Sequence, residues 1–273
     1  MRMLTWNIRR ANKDSEVWKL LLESNPDIAL LQEVGSIPKN VQEVYAIQSR
    51  KAVYKTGRPQ KFSTAVLVKG KIVDDISLES EFEWVNKELN FFQGNFIGCI
   101  VELENGERYN VVSVYSPAWP VDESRLAGID FSQVKLTKNP KVWPTEIIWS
   151  ALKNTVSANE SWIVGGDYNS SETFDRDYKR KHGLKGGIAS QGNKEIRDRM
   201  YALGFKECLL EYNGQLTPTY RHTDKKIIHQ LDHLYVTEDV FSRIKKCFVG
   251  DKSLIFDEML SDHLPIIADF SEL

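Results

Sequence analysis

The chain has 273 residues, 41% of them hydrophobic and 27% charged, with a formal net charge of −2. That composition belongs to a folded protein long enough for a substantial core, and no apolar run approaches the roughly 20 residues a membrane helix needs. The charge argues against a nucleic-acid binder that works through its whole surface and leaves only local basic patches for a phosphate-rich partner.

Strand-like runs rich in Val, Ile, Leu and aromatic residues recur along the chain, at 3–8, 27–34, 64–69, 96–103, 109–115, 161–166, 231–236 and 264–270. Helical spacing lies between some of them. Asp14 is placed to cap a helix over 15–24 with Val17, Leu20 and Leu21 on one face. Residues 142–156 set Ile147, Ile148 and Leu152 at helical intervals behind Pro144, and 193–203 form a short helix ended by Gly204. The polar stretches 116–141 and 170–192 read as long loops, which in a compact domain tend to carry function. With no repeat and no linker-like shift in composition, one mixed α/β domain over 1–273 is the simplest expectation. Cys99, Cys208 and Cys247 are far apart and form no CxxC pair. The N-terminal MRMLTWNIRR has no long apolar segment of the secretory kind. Reduced thiols and a cytoplasmic location are therefore expected.

Several strands stop in a chemically useful group. TWN leaves Asn7, LLQE leaves Glu33, SVYSP leaves Tyr115, and SWIVGGDYNS leaves Asp167 and Asn169 two positions apart. Near the C-terminus, Asp232 lies inside QLDHLYV, and Asp262 and His263 precede LPI. Each has a structural reading of its own: a polar turn for Asn7, Asp167 and Asn169, a solvent rim for Glu33, a half-buried ring for Tyr115, an ion pair for Asp232, a turn cap for Asp262 and a satisfied core histidine for His263. Six strands delivering amide, acid, phenol and imidazole are together an inventory for metal-assisted phosphoryl chemistry, because loops at strand ends build the sites of mixed and parallel sheets. Carboxylate oxygen suits hydrated Mg²⁺, and a histidine oriented by a carboxylate suits a phosphate.

In this order and spelling, TWN, LQE, SVYSP, GGDYN, QLDHLYV and SDHLPI resemble the motifs of the endonuclease/exonuclease/phosphatase superfamily, which includes DNase I and the exonuclease III-type AP endonucleases. The resemblance runs from Thr5 to Phe270. It implies a four-layer αββα sandwich of two mixed sheets and a water attack on phosphorus in line with the leaving oxygen. It implies that Glu33 binds Mg²⁺, with Mn²⁺ able to stand in, and that Asn7 supports the metal directly or through water. Asp262 then lies on the metal side or steadies the network. Asp167 orients or deprotonates the water, and Asn169 donates to the scissile phosphate. His263 meets a non-bridging oxygen as an imidazolium held by Asp232, and Tyr115 bonds phosphate or leaving group.

Departures from the family pattern narrow the substrate. Where the AP endonuclease branch carries an aromatic residue shortly before the Asp232-type aspartate, this chain has His229-Gln230-Leu231; after TWN, where a further metal-side acid or amide often stands, it has Ile8 and Arg9. The disulfides and export signal of secreted DNases and the Trp-Cys-Asp-Arg stretch of inositol polyphosphate phosphatases are absent. Two basic runs stand out: 50–61, with Arg50, Lys51, Lys55, Arg58 and Lys61 and no acid, and 176–185, with Arg176, Lys179, Arg180, Lys181 and Lys185. Arg9, Arg10, Arg176, Arg180 and Trp119 are the candidate substrate contacts, and the 176–185 run is expected at the mouth of the cleft. The leading expectation is an Mg²⁺-dependent nuclease for DNA or RNA, with no membrane and no obligate protein partner. A phosphomonoesterase or small-molecule or lipid head-group phosphodiesterase, and a silent binding protein on the same scaffold, are the rivals.

Overall fold

The computed structural model describes residues 1–157, 159–181 and 193–271, with backbone alone for 177–181. The strands are β1 (Arg2–Asn7), β2 (Ile28–Val34), β3 (Ala46–Val53), β4 (Pro59–Val68), β5 (Gly70–Asp75), β6 (Phe96–Leu103), β7 (Arg108–Tyr115), β8 (Trp162–Asp167), β9 (Phe205–Glu207), β10 (Tyr220–Arg221), β11 (Ile227–His229), β12 (Asp232–Thr237), β13 (Ile244–Val249) and β14 (Ile266–Phe270). The helices are α1 (Val17–Ser24), α2 (Lys39–Gln42), α3 (Glu83–Phe91), α4 (Pro144–Thr155), α5 (Glu172–Lys181), α6 (Asn193–Ala202), α7 (Cys208–Asn213) and α8 (Glu238–Phe241). Two sheets of six strands form, in the orders β13-β14-β1-β2-β4-β3 and β5-β6-β7-β8-β12-β9, with β10-β11 as a separate hairpin.

Strand side chains alternate between faces, and that alternation builds the layers. In the first sheet Met3, Ile28, Leu30, Val66 and Ala268 point inward, where they meet Val101, Val111, Ile163 and Leu234 of the second. Their neighbours Leu4, Ala29, Leu31 and Leu67 point outward onto Val17, Trp18 and Leu21 of α1 and onto Phe256. On the far side Val112, Trp162, Val164 and Tyr235 pack under α3, α4 and α6 through Val85, Ile147, Ile148, Leu152 and Met200. Helix, sheet, sheet and helix thus stack as the expected αββα sandwich, and each sheet contains one parallel pair among antiparallel ones.

Two local expectations are corrected. The first helix begins at Val17; Asp14 does not cap it, and Glu16 before it is already helical and makes no side-chain cap. Val17, Trp18 and Leu21 are buried there, and Leu20 is half-buried. The stretch 170–192 is no continuous loop, since α5 occupies 172–181. Among the described residues no helix is long and apolar enough to cross a membrane. The three cysteines are free and buried.

Candidate active site

Parallel pairing sends four strand ends to one edge. Asn7 ends β1 beside Gln32 of β2, and Tyr115 ends β7 beside Asp167 of β8. β12 runs back from the same place, with Asp232 opposite Asp167. The two glycines before Asp167 have a steric reason. Gly166 has φ +153°, and a Cβ there would lie 1.9 Å from the Val114 carbonyl oxygen, so any other residue would force β7 and β8 apart. At Glu33 the chain is left-handed, φ +53°, where β2 slips register against β4 between Leu31 and Val34. Such a bulge re-aims a side chain, and Glu33 turns toward the cleft at the strand ends. Of the seven non-glycine residues with positive φ among those described, Arg9, Arg10, Glu33 and Asn169 line this cleft. Backbone strain of this kind gathers at functional sites.

The cleft measures about 790 Å³ and has a buried charge cluster at its floor. His263 Nδ1–H donates to Asp232 Oδ2 at 2.8 Å, and the same oxygen accepts the Thr219 hydroxyl at 2.7 Å. The other nitrogen, Nε2, faces Asp167 Oδ2 at 3.9 Å, too far for a direct hydrogen bond. Asp167 Oδ1 accepts the Asn169 backbone N–H at 2.9 Å. Its Oδ2 accepts the side-chain amides of Asn7 at 3.0 Å and Asn169 at 3.1 Å. Trp6 Nε1–H donates to the His263 carbonyl oxygen at 2.8 Å, so the β1 motif also fixes the histidine backbone.

Burial and the neighbouring Asp232 charge raise the Asp167 carboxyl to about 7, against the lowering pull of His263 and the Asn7 and Asn169 hydrogen bonds. For His263, burial alone works against the charged ring. The Asp232 charge, the Asp167 charge, the Asp232 hydrogen bond and Asp262 outweigh it and raise the imidazolium to about 10. Burial also pushes the Tyr115 hydroxyl up, with Glu33 and Asp167 adding to it, so the phenol stays a neutral donor. It donates to Glu33 Oε1 at 3.3 Å.

Glu33, Asp262 and the Asn7 side-chain oxygen present an all-oxygen donor set at the cleft, the type that suits Mg²⁺ or Mn²⁺. Each acid has a cation beside it: Arg10 Nε lies 3.5 Å from Glu33 Oε2, and Arg9 Nε lies 4.0 Å from Asp262 Oδ2. The Asn7 oxygen accepts the Arg9 backbone N–H at 3.0 Å. A second cluster of Asp167, Asp232 and His263 has ligand-capable atoms within 4.8 Å of one another, and Asp232 Oδ1 is buried there with no hydrogen-bond partner among the described residues.

The expected substrate contacts divide. Arg9, Arg10 and Trp119 line the cleft. Arg176 does not; its guanidinium is held by Glu172 one helical turn away at 2.6 Å, so the expectation of a 176–185 run at the cleft mouth finds no support at this residue. The Arg180 side chain and Lys185 lie outside the described residues. Both side-chain hydrogens of Asn169 serve Asp167 and the Ser116 carbonyl oxygen, so the amide steadies the aspartate in this state. Sequence reading missed an aromatic wall. Phe174 of α5 stacks on His229 with ring centroids 4.3 Å apart, and Tyr220 lies 4.8 Å from His263. An aromatic face absent just before Asp232 is thus supplied by other elements. The one local signal was Thr219-Tyr220 ahead of the QLDHLYV motif.

Behind the cleft a second histidine holds the Asn169 turn. His233 Nε2 lies 3.0 Å from the Ser170 carbonyl oxygen, and Nδ1 faces Gln230 Nε2 at 3.3 Å and Glu207 Oε1 at 3.6 Å. Its ring stacks on Tyr235 at 5.7 Å. A phenyl ring would keep the stack and lose the bonds, leaving the half-buried Ser170 carbonyl oxygen without this partner. His233→Phe is therefore expected to lower unfolding free energy by about 1–3 kcal/mol, read from the urea midpoint at constant m-value.

Fold and cleft define a DNase I-like hydrolase scaffold. Residues 4–263 match the Endonuclease/Exonuclease/phosphatase family, and the chain belongs to that family. Among solved structures it is similar to an AP endonuclease from Archaeoglobus fulgidus, 18% identical over 100% of both chains with a TM-score of 0.69. It is also similar to a single-residue variant of the 3' phosphatase NExo from Neisseria bound to product DNA hairpin, 17% identical over 100% of both chains with a TM-score of 0.65. The AP endonuclease LMAP from Leishmania major is 15% identical over 100% of this chain and 88% of its own, with a TM-score of 0.62. No curated protein matches the chain significantly.

Proposed function

We propose that this chain is a divalent-metal-dependent phosphodiester hydrolase acting on nucleic acid. The observation that carries the reading is the floor of the cleft, where Asp167 and the His263–Asp232 pair face one another across 3.9 Å with Asn7 and Asn169 holding the aspartate. The gap between Asp167 and His263 has the width for an oxygen of phosphate or water to bridge them. Asp167 orients the attacking water and takes its proton when ionised. The imidazolium of His263 donates to a non-bridging oxygen and offsets the charge that builds on phosphorus, and Asp232 keeps that proton on the ring. Tyr115 supplies a neutral donor at the same edge. Family members generally depend on a divalent metal. Glu33 with Asn7 and Asp262 would hold it here, and it would supply Lewis-acid neutralisation of phosphate charge.

The second reading is hydrolysis of a phosphomonoester or of a small-molecule or lipid head-group phosphodiester, and the net charge of −2 favours a small substrate over a polymer. The test is a panel of labelled single- and double-stranded DNA, RNA, abasic DNA and bis-p-nitrophenyl phosphate, with Mg²⁺ and with chelator. Cleavage of at least one nucleic acid with Mg²⁺, lost with chelator and reduced in Asn169→Ala, is the expected result. Turnover confined to the small ester would move the assignment to that class. No metal-dependent hydrolysis of any member would reduce the chain to a binding protein.

A further inference from the structure

We infer that His233 is a positioning residue for the reaction: oriented by Gln230 and Glu207, it fixes the Asp167–Asn169 turn through the Ser170 carbonyl oxygen. The inference rests on the proposed hydrolase reading and adds a residue that reading does not use.

Residues 229–233 divide between the two sides of the strand end. His229 and Leu231 line the cleft, and Asp232 bonds to His263 at its floor. Gln230 and His233 meet Glu207 behind it, and all three are buried. The Gln230 side-chain nitrogen carries two hydrogens. It donates to Glu207 Oε1 at 3.1 Å and to His233 Nδ1 at 3.3 Å. Gln230 Oε1 accepts the Thr217 backbone N–H at 2.8 Å, so the amide cannot turn over without losing that bond as well. Glu207 is held in turn by the Leu210 N–H at the start of α7. Nδ1 is therefore the accepting nitrogen of His233. Nε2 carries the proton and donates it to the Ser170 carbonyl oxygen at 3.0 Å. Tyr168, edge-on at 5.4 Å, and Tyr235, stacked at 5.7 Å, fix the plane of the ring.

Ser170 follows a strained residue of the site. Asn169 has φ +47°, and such a conformation persists only where the surroundings over-determine it. Its backbone N–H and its side-chain amide both serve Asp167, at 2.9 and 3.1 Å. On one side of the turn, the Tyr168 N–H donates to the Leu231 carbonyl oxygen at 2.9 Å. On the other, His233 holds the Ser170 carbonyl, and Ser170 Oγ donates to Asn193 Oδ1 at 2.8 Å. A buried donor with a single tautomer is a rigid anchor on the face away from substrate. Without it Asn169 can relax, and two of the donors that pre-set the Asp167 carboxylate relax with it.

The test compares His233→Phe, which keeps a ring and loses the donor, with His233→Gln, whose amide nitrogen reaches about as far as Nε2 and can donate. Val101→Ala, a core cavity in β6 outside the lining of the cleft, controls for lost stability. Each folded variant is read twice: by kcat and KM on the best substrate with saturating Mg²⁺, and by hydrogen exchange of the Asn169 amide in nuclear magnetic resonance. His233→Phe should lower kcat about tenfold with KM within about twofold, part of the roughly hundredfold that an ångström of misplacement costs, and should speed Asn169 exchange about tenfold. His233→Gln should return both to within about threefold of wild type, and Val101→Ala should leave both there. Wild-type kcat and exchange in His233→Phe would overturn the inference. Equal losses in His233→Phe and His233→Gln, or the same losses in Val101→Ala, would also overturn it, because packing or stability would then be the cause. A wild type without hydrolysis, in which Asn169 exchange still follows the donor at 233, would leave the anchor standing and remove the hydrolase reading.

Discussion

Asp167→Ala is expected to lower kcat at least about a hundredfold on any phosphodiester the enzyme cleaves, with the far-ultraviolet circular dichroism of wild type. The loss is that of a general base or a fixed charge contact. Asp167 is 1% exposed, and three donor groups hold both its oxygens, so the carboxylate is pre-set and does not have to be found by rotation. Its raised carboxyl also sets the acid side of the pH profile. Activity should climb as the proton leaves near pH 7. The same shift carries a stability sign. The fold favours the protonated acid, so the Asp167 contribution falls as pH rises from the ordinary carboxylate range to about 7. Wild-type turnover by purified Asp167→Ala would refute its role.

Asp232→Asn should produce a loss that depends on pH. Asp232 is the main group holding the His263 proton against burial. Without its charge, the imidazolium retreats from about 10 toward or below the ordinary 6.5. At pH 6 the variant should retain part of its rate. At pH 8 it should fall at least about tenfold further, because the ring there is neutral. His263→Ala should lose at least about a hundredfold across the range. The stability linkage follows the raised value: the wild-type pair stabilises the fold fully below about pH 6.5, and that contribution fades as pH rises through about 10. A pH–rate profile of Asp232→Asn parallel to wild type would mean that the pair is structural.

Much of the core was legible because its signal is local. Buried central strands such as IALLQEV and WIVGGD are continuous apolar runs, and a polar group that ends such a run is visible without knowing its neighbours. That Asn7, Glu33, Tyr115, Asp167 and His263 line one cleft, with Asp232 bonded to the histidine beneath it, follows from strand ends collecting at one edge. What stayed hidden is non-local or half-solvated. The edge strands AIQSRKAV, GKIVDD and IKKCFV carry charges where the interior strands carry Val and Leu, as exposed edges do. The helix ETFDRDYKRK has one large apolar residue near its start, Phe174, and that residue is spent on the cleft. Arg176 read as a substrate contact from its charge and its place soon after GGDYN, although Glu172 stands at the i,i+4 spacing that pairs them. Arg10 and Glu33 are far apart in the chain, and nothing in either motif announces the 3.5 Å approach.

The most direct test is a single-turnover comparison of wild type, Asp167→Ala, His263→Ala and the double variant on the best substrate of the panel, with saturating Mg²⁺. Groups that meet around one phosphorus act as a unit, so their losses are strongly non-additive. The predicted result is a double variant within about threefold of the worse single variant. Losses that multiply would place the two residues in independent roles and contradict a shared reaction centre at the strand ends.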